Sequence, residues 1–106
     1  MIDNELIEIA REFREGILDG DEPSGRCAMV AWPLEGYLAF LGVNIRAVKC
    51  EYPHDHIMSW DWANHVWLEL EDGRVLDPTA DQFDIGLPAI YLGPRDPRIH
   101  LIVSSQ

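Results

Sequence analysis

Between residues 4 and 19, Leu6, Ile9, Ala10, Phe13 and Ile17 recur at the spacing of one helical face, so the segment is expected to be an amphipathic helix with that stripe buried. Asp3 or Asn4 can cap its start, and Gly20 suits its end. After a loop rich in Gly, Asp, Pro and Ser, a second helical stretch covers about 25–41, with Ser24 placed as its N-cap. Pro33 lies inside it and removes a backbone donor. Either the helix kinks there, or Pro33 opens a further helix that runs to Leu41. The piece from Cys27 to Trp32 is almost wholly apolar and is expected to be buried.

The pattern then changes to strands. Ile45 to Tyr52 is rich in β-formers and stops at Pro53. A loop over 53–63 follows, and Asn64 to Leu70 alternates, with Val66, Leu68 and Leu70 on one face and His65, Trp67 and Glu69 on the other. Arg74 to Asp77 reads as the returning strand of a hairpin, and Ile99 to Val103 as a last strand. Helices first and antiparallel strands second give an α+β fold in one domain spanning 1–106, with the N-terminal helices packed on an antiparallel β-sheet.

The hairpin turn decides which side chains share a face. A two-residue turn at Asp72-Gly73 would pair Leu68 with Asp77 and put His65 and Asp77 on opposite faces. A three-residue loop, Glu71-Asp72-Gly73 with Gly73 left-handed, pairs Leu70 with Arg74 and Leu68 with Leu76. This register matches aliphatic with aliphatic and brings His65, Trp67 and Asp77 to one surface, so it is the one expected.

Composition narrows the functional classes. Hydrophobic residues make up 47% of the 106 residues, enough for a core without metal or disulfide support. Nineteen acids against eight bases give a formal charge of −11, which repels nucleic acid at long range and leaves neutral or cationic partners. No apolar run has membrane-span length, and Met1 to Glu15 lacks the apolar centre of a signal peptide, so a cytoplasmic protein with no membrane partner is expected. Two cysteines, Cys27 and Cys50, are expected to be free thiols in that compartment.

Cys27 falls in the first turn of the second helix, where the partial positive charge of the helix end favours thiolate over thiol. Unpaired N–H groups at that end can hold an oxyanion. An imidazole takes the thiol proton and returns it to the leaving group, and a carboxylate behind the imidazole orients it. His65 and Asp77 are the candidates for these roles. Taken singly, Cys27 also reads as a small buried hydrophobe, His65 as a hydrogen-bonded sheet residue and Asp77 as a turn former before Pro78.

Ser24-Gly25-Arg26-Cys27 entering an apolar helix, His65-Val66-Trp67-Leu68-Glu69-Leu70, and Val75-Leu76-Asp77-Pro78-Thr79 together resemble the transglutaminase-like branch of the papain-like cysteine enzymes, over about residues 20–85. The resemblance implies a papain-like core with Cys27 as nucleophile, His65 as general base and acid, and Asp77 as orienter. It also implies a hydrolase or acyltransferase, a deamidase among the options, acting without cofactor on an amide of a small molecule, peptide or protein through a thioester. The Gln that papain-type members carry shortly before the Cys is missing from residues 20–26. Asn64 and Gln82 are the side-chain candidates for the second oxyanion donor, beside the backbone N–H of Cys27.

Trp67 is expected to line the site, and Trp60 and Trp62 lie on the loop before it. Two other functions compete. A catalytically silent member of the same fold would serve as a binding or regulatory module, and Cys50, His54 and His56 have the composition of a partial zinc site. The expectation adopted is that there is no metal.

Overall fold

Two helices pack on a four-stranded antiparallel sheet in the structure, a computed structural model that describes residues 1–23, 26–51 and 64–100, with backbone alone at 50, 51 and 64. In chain order these are α1 (Asp3–Leu18), α2 (Cys27–Phe40), β1 (Ile45–Glu51), β2 (Asn64–Leu70), β3 (Val75–Asp77), a short 3-10 turn (Ala80–Phe83) and β4 (Tyr91–Gly93). The sheet order follows the chain, β1-β2-β3-β4. No helix among the described residues is long and apolar enough to cross a membrane.

The buried stripe of α1 runs through Leu6, Ala10 and Leu18, with Ile9, Phe13 and Ile17 only partly buried at its flank. Neither Asp3 nor Asn4 caps the helix. Ile2 occupies that position, and Glu5 reaches back to accept its N–H at 3.2 Å, which satisfies one of the donors a helix start leaves open. The expected stop at Gly20 comes one residue early, since Asp19 already turns left-handed at φ 50° and donates its N–H to Glu15.

A single helix, α2, passes through Pro33. Arg26 stands at its cap position with no side-chain capping bond, and the expected cap, Ser24, lies outside the described residues. Only one face of α2 is covered. Cys27, Val30, Ala31, Leu34 and Leu38 point inward at helical spacing, whereas Met29 and Trp32 are about half exposed, at 54% and 52%. The expectation that all of Cys27 to Trp32 is buried is therefore corrected: a helix lying on a sheet hides a stripe, however apolar its other faces are.

The hairpin has the register that pairs aliphatic side chains. Leu68 pairs with Leu76, Leu70 donates to the Arg74 carbonyl at 2.9 Å, and Gly73 is left-handed at φ 93°. Val66, Leu68 and Leu76 join the helices in the main core, while Trp67 and Val75 pack with Val48 and Tyr91 in a separate cluster. The strand expected over Ile99 to Val103 does not form at its start. Ile99 and His100 belong to a turn in which both donate their N–H to the Asp96 carbonyl, at 3.0 and 2.7 Å; residues 101–103 lie outside the described region.

Candidate active site

β3 stops at Asp77, and β2 pairs with β3 only at Leu68 and Glu69. Pro78, the next residue, cannot donate to a strand ladder. The first residues of β2 are thereby left open on the β3 side, and the start of α2 meets them there. Cys27, the first residue of α2 and 7% exposed, lies beside the His65 ring with its sulfur toward the backbone N–H of Val66. A thiol from the helix-side core and an imidazole from the opposite face of the sheet come together at this edge.

His65 and Asp77 are both wholly buried and share a hydrogen bond of 2.7 Å from Nε2 to Oδ2. The carboxylate is held from two further directions. The N–H of Thr79 donates to Oδ1 at 3.0 Å, and His100, which the sequence reading did not single out, reaches Oδ2 through Nε2 at 2.8 Å. His100 has its tautomer fixed from behind: the Asp96 N–H donates to its Nδ1 at 2.8 Å, so the ring hydrogen sits on Nε2 and is given to Asp77. The other ring, His65, must also donate to that carboxylate from Nε2. In the neutral ring the lone pair is then on Nδ1, which is buried and has no hydrogen-bond partner among the described residues. The contact with Cys27 falls short of hydrogen-bond geometry, as is common for such pairs before a ligand arrives.

The charges follow this geometry. Burial alone would lower the His65 pKa, but the charge and hydrogen bond of Asp77, helped by Cys27, raise it to about 9. Burial also works against ionised Cys27; the adjoining His65 imidazole, by its charge and polar contact with the sulfur, together with the Val66 N–H, outweighs it and brings the thiol below its ordinary value. Asp77 is held well below the usual carboxylate range, because the charge of His65 and the donors from both imidazoles overcome its burial. The three groups favour one another's charged forms: His65 is pushed toward its cation, Cys27 and Asp77 toward their anions.

The site has a rigid surround. The His65 ring meets the edge of Phe83 at 4.8 Å and packs against Trp67 at 5.5 Å, and Trp67 in turn packs on His100 at 4.9 Å. Arg14 on α1 holds the chain just after Asp77 by donating to both oxygens of Asp81 and to the carbonyls of Pro78 and Ala89. Trp67, expected to line the site, is 0% exposed and gives its indole N–H to Glu69, so it backs the imidazoles without facing solvent. The two side-chain candidates for the oxyanion donor divide. Gln82 donates from Nε2 to Thr79 Oγ1 at 3.0 Å, and the Asn64 side chain lies outside the described residues. His54, His56, Trp60, Trp62 and the side chain of Cys50 also lie outside them.

Protein-family models, curated proteins and solved structures offer no match to this chain.

Geometry alone therefore informs the chemistry. His65, Asp77 and His100 bring ligand-type atoms within 4.8 Å of one another. A metal needs free lone pairs on those nitrogens. Here both Nε2 atoms carry hydrogens directed at Asp77, and the lone pair of His100 Nδ1 is used by Asp96. As described, the cluster is a hydrogen-bond network in which Asp77 accepts from both rings. The sequence signal for His100 was faint: an imidazole within an apolar run has to find a buried partner, and nothing in the pattern says which.

Proposed function

We propose that this protein is a thiol-dependent hydrolase or acyltransferase acting on an amide bond, with Cys27 as nucleophile, His65 as general base and acid, and Asp77 as the group that orients the imidazole. The observation that carries the proposal is the division of labour between the His65 nitrogens, with Nε2 committed to Asp77 and Nδ1 buried and unpartnered among the described residues, on a ring that interacts with the Cys27 thiol. With the thiol proton held on Nδ1, the form that the raised His65 and lowered Cys27 favour, the sulfur attacks the amide carbonyl. The imidazolium then protonates the leaving amine, and water or an acceptor amine resolves the thioester. Backbone N–H groups at the start of α2 are suited to the oxyanion. A Cys at a helix start with His and Asp on neighbouring strands is also the arrangement of the transglutaminase-like, papain-like core that the sequence resembles, and we assign the fold to that type as part of the same proposal.

The second reading is a silent binding module of the same fold. It draws on the 7% exposure of Cys27 and on the unaligned Nδ1. Intact-mass analysis after incubation with a panel of small amides and esters separates the two. The enzyme reading expects an acyl adduct that maps to Cys27 and is absent in Cys27→Ala. No adduct with any substrate, together with alkylation of Cys27 at an ordinary thiol pH, favours the silent module.

A further inference from the structure

Asp77 has more donors than a simple orienting carboxylate requires. Two buried imidazoles share Oδ2, at 2.7 and 2.8 Å, and a backbone N–H holds Oδ1. An sp² oxygen has two lone pairs, so both rings can be served at once. His100 is not a loosely packed neighbour. It is 1% exposed, its ring stacks on Tyr91 at 5.8 Å with a 28° tilt, and its Nδ1 is tied to the chain at Asp96. Asp96 is in turn held by Arg98, through side chain and backbone.

From this geometry we infer that His100 is a positioning residue for the thiol chemistry: its Nε2–H pins Oδ2 of Asp77 against His65 and so commits His65 Nε2 to Asp77, leaving Nδ1 to Cys27. The inference rests on the thiol reading proposed above and extends it to a fourth residue, giving the chain of contacts Cys27, His65, Asp77, His100, Asp96. Removing the His100 donor leaves, among the described residues, the Thr79 N–H as the one group besides His65 that holds the carboxylate. Oδ2 then holds His65 less firmly, the imidazolium loses part of its stabilisation, and the thiolate loses its counter-ion. Among the described residues, the titratable groups facing the His65–Asp77 pair are Cys27 from α2 and His100 from the turn after β4, with Tyr91 of β4 behind His100. Glu69, on the same face of the sheet, is occupied by Trp67 and Arg95.

The test is the pH dependence of iodoacetamide alkylation at Cys27, followed by peptide mass in the full-length chain, for wild type, His65→Ala, His100→Phe and His100→Gln. Phe keeps the ring volume without the donor, and Gln returns an N–H near the position of Nε2. His100→Phe is expected to raise the alkylation midpoint by about one pH unit, and His100→Gln to recover most of that shift, with both proteins folded by thermal denaturation. A His100→Phe profile equal to wild type, while His65→Ala is shifted, makes His100 merely structural and overturns this inference alone. A His65→Ala profile equal to wild type overturns the thiol reading and this inference with it. Should His100→Phe fail to fold, nitrogen-15 spectra of the wild-type histidines decide: the Nε2–H tautomer at His100 supports the inference, and an Nδ1–H tautomer overturns it.

Discussion

Arg14 and Asp81, 67 positions apart in sequence, form a two-pronged ion pair at 2.7 and 2.9 Å, and the same guanidinium caps the carbonyls of Pro78 and Ala89. Neither partner is fully exposed, at 15% and 33% of the side chain, so solvent screens the pair only in part. The bond ties α1 to the chain immediately after Asp77, so the first helix helps to hold the carboxylate in place from a distance.

Replacing Arg14 with Met keeps much of the aliphatic stem and removes all four contacts. The expected loss is about 2 kcal/mol in urea denaturation, with a smaller loss when Asp81→Asn has already been made. Equal losses in both backgrounds would show that the ion pair contributes nothing beyond packing.

The titration of the site sets a second expectation. His65 has a folded value of about 9, above its unfolded 6.5, so its contribution to stability is complete below about pH 6.5 and is lost as pH rises through about 9. Cys27, lowered in the fold from 9.0, works the other way, its contribution growing as pH rises past its folded value. Chemical denaturation at pH 6 and pH 9 should show the wild type losing on the order of 2 kcal/mol at the higher pH, and Asp77→Asn losing much less. On the acid side, Asp77 contributes above its unfolded value of 3.8 and loses that contribution as pH falls through its lower folded value. A wild-type stability that is flat from pH 6 to 9 would contradict the buried cation.

Gly73 gives a test of the hairpin itself. A Cβ there would meet nothing within 4 Å, but φ is +93°. Gly73→Ala is therefore expected to lower stability by about 1–2 kcal/mol through backbone strain alone, and Gly73→Asn by less, since Asn tolerates left-handed geometry better. Thermal melts of the two variants make the comparison, and equal stability of all three proteins would argue against this turn.

Leu34→Ala, at a position with 0% exposure in the main core, is expected to destabilise by about 2–5 kcal/mol. Phe40→Ser, at 83% exposure near the end of the same helix, should change stability by no more than about 0.5 kcal/mol. Denaturation curves for the pair measure how one-sided α2 is.

Much of this arrangement was legible in the residues, for local reasons. Alternation from Asn64 to Leu70 and a left-handed glycine at 73 are short-range signals, and together they yield the strand faces and the proximity of His65 to Asp77. The face of α2 was not legible, because Met29, Val30, Ala31 and Trp32 are all apolar and only packing chooses among them. The segment after Asp77 was the least legible. β4 is three residues long, too short for a periodicity to register, and the turn at Asp96 is stabilised partly by His100, whose own partner lies 23 positions back in the chain.

The tip of the hairpin therefore has a consequence for how the protein can vary. Its odd residue count, Glu71 to Gly73, sets which side of the ribbon each later side chain occupies. A single inserted residue that shifted the pairing would swap the two sides, turning Asp77 toward the aliphatic helices and Leu76 toward the rings. Two inserted residues would restore the parity and lengthen the arm. Chains that keep this chemistry should tolerate even changes at the tip far better than odd ones.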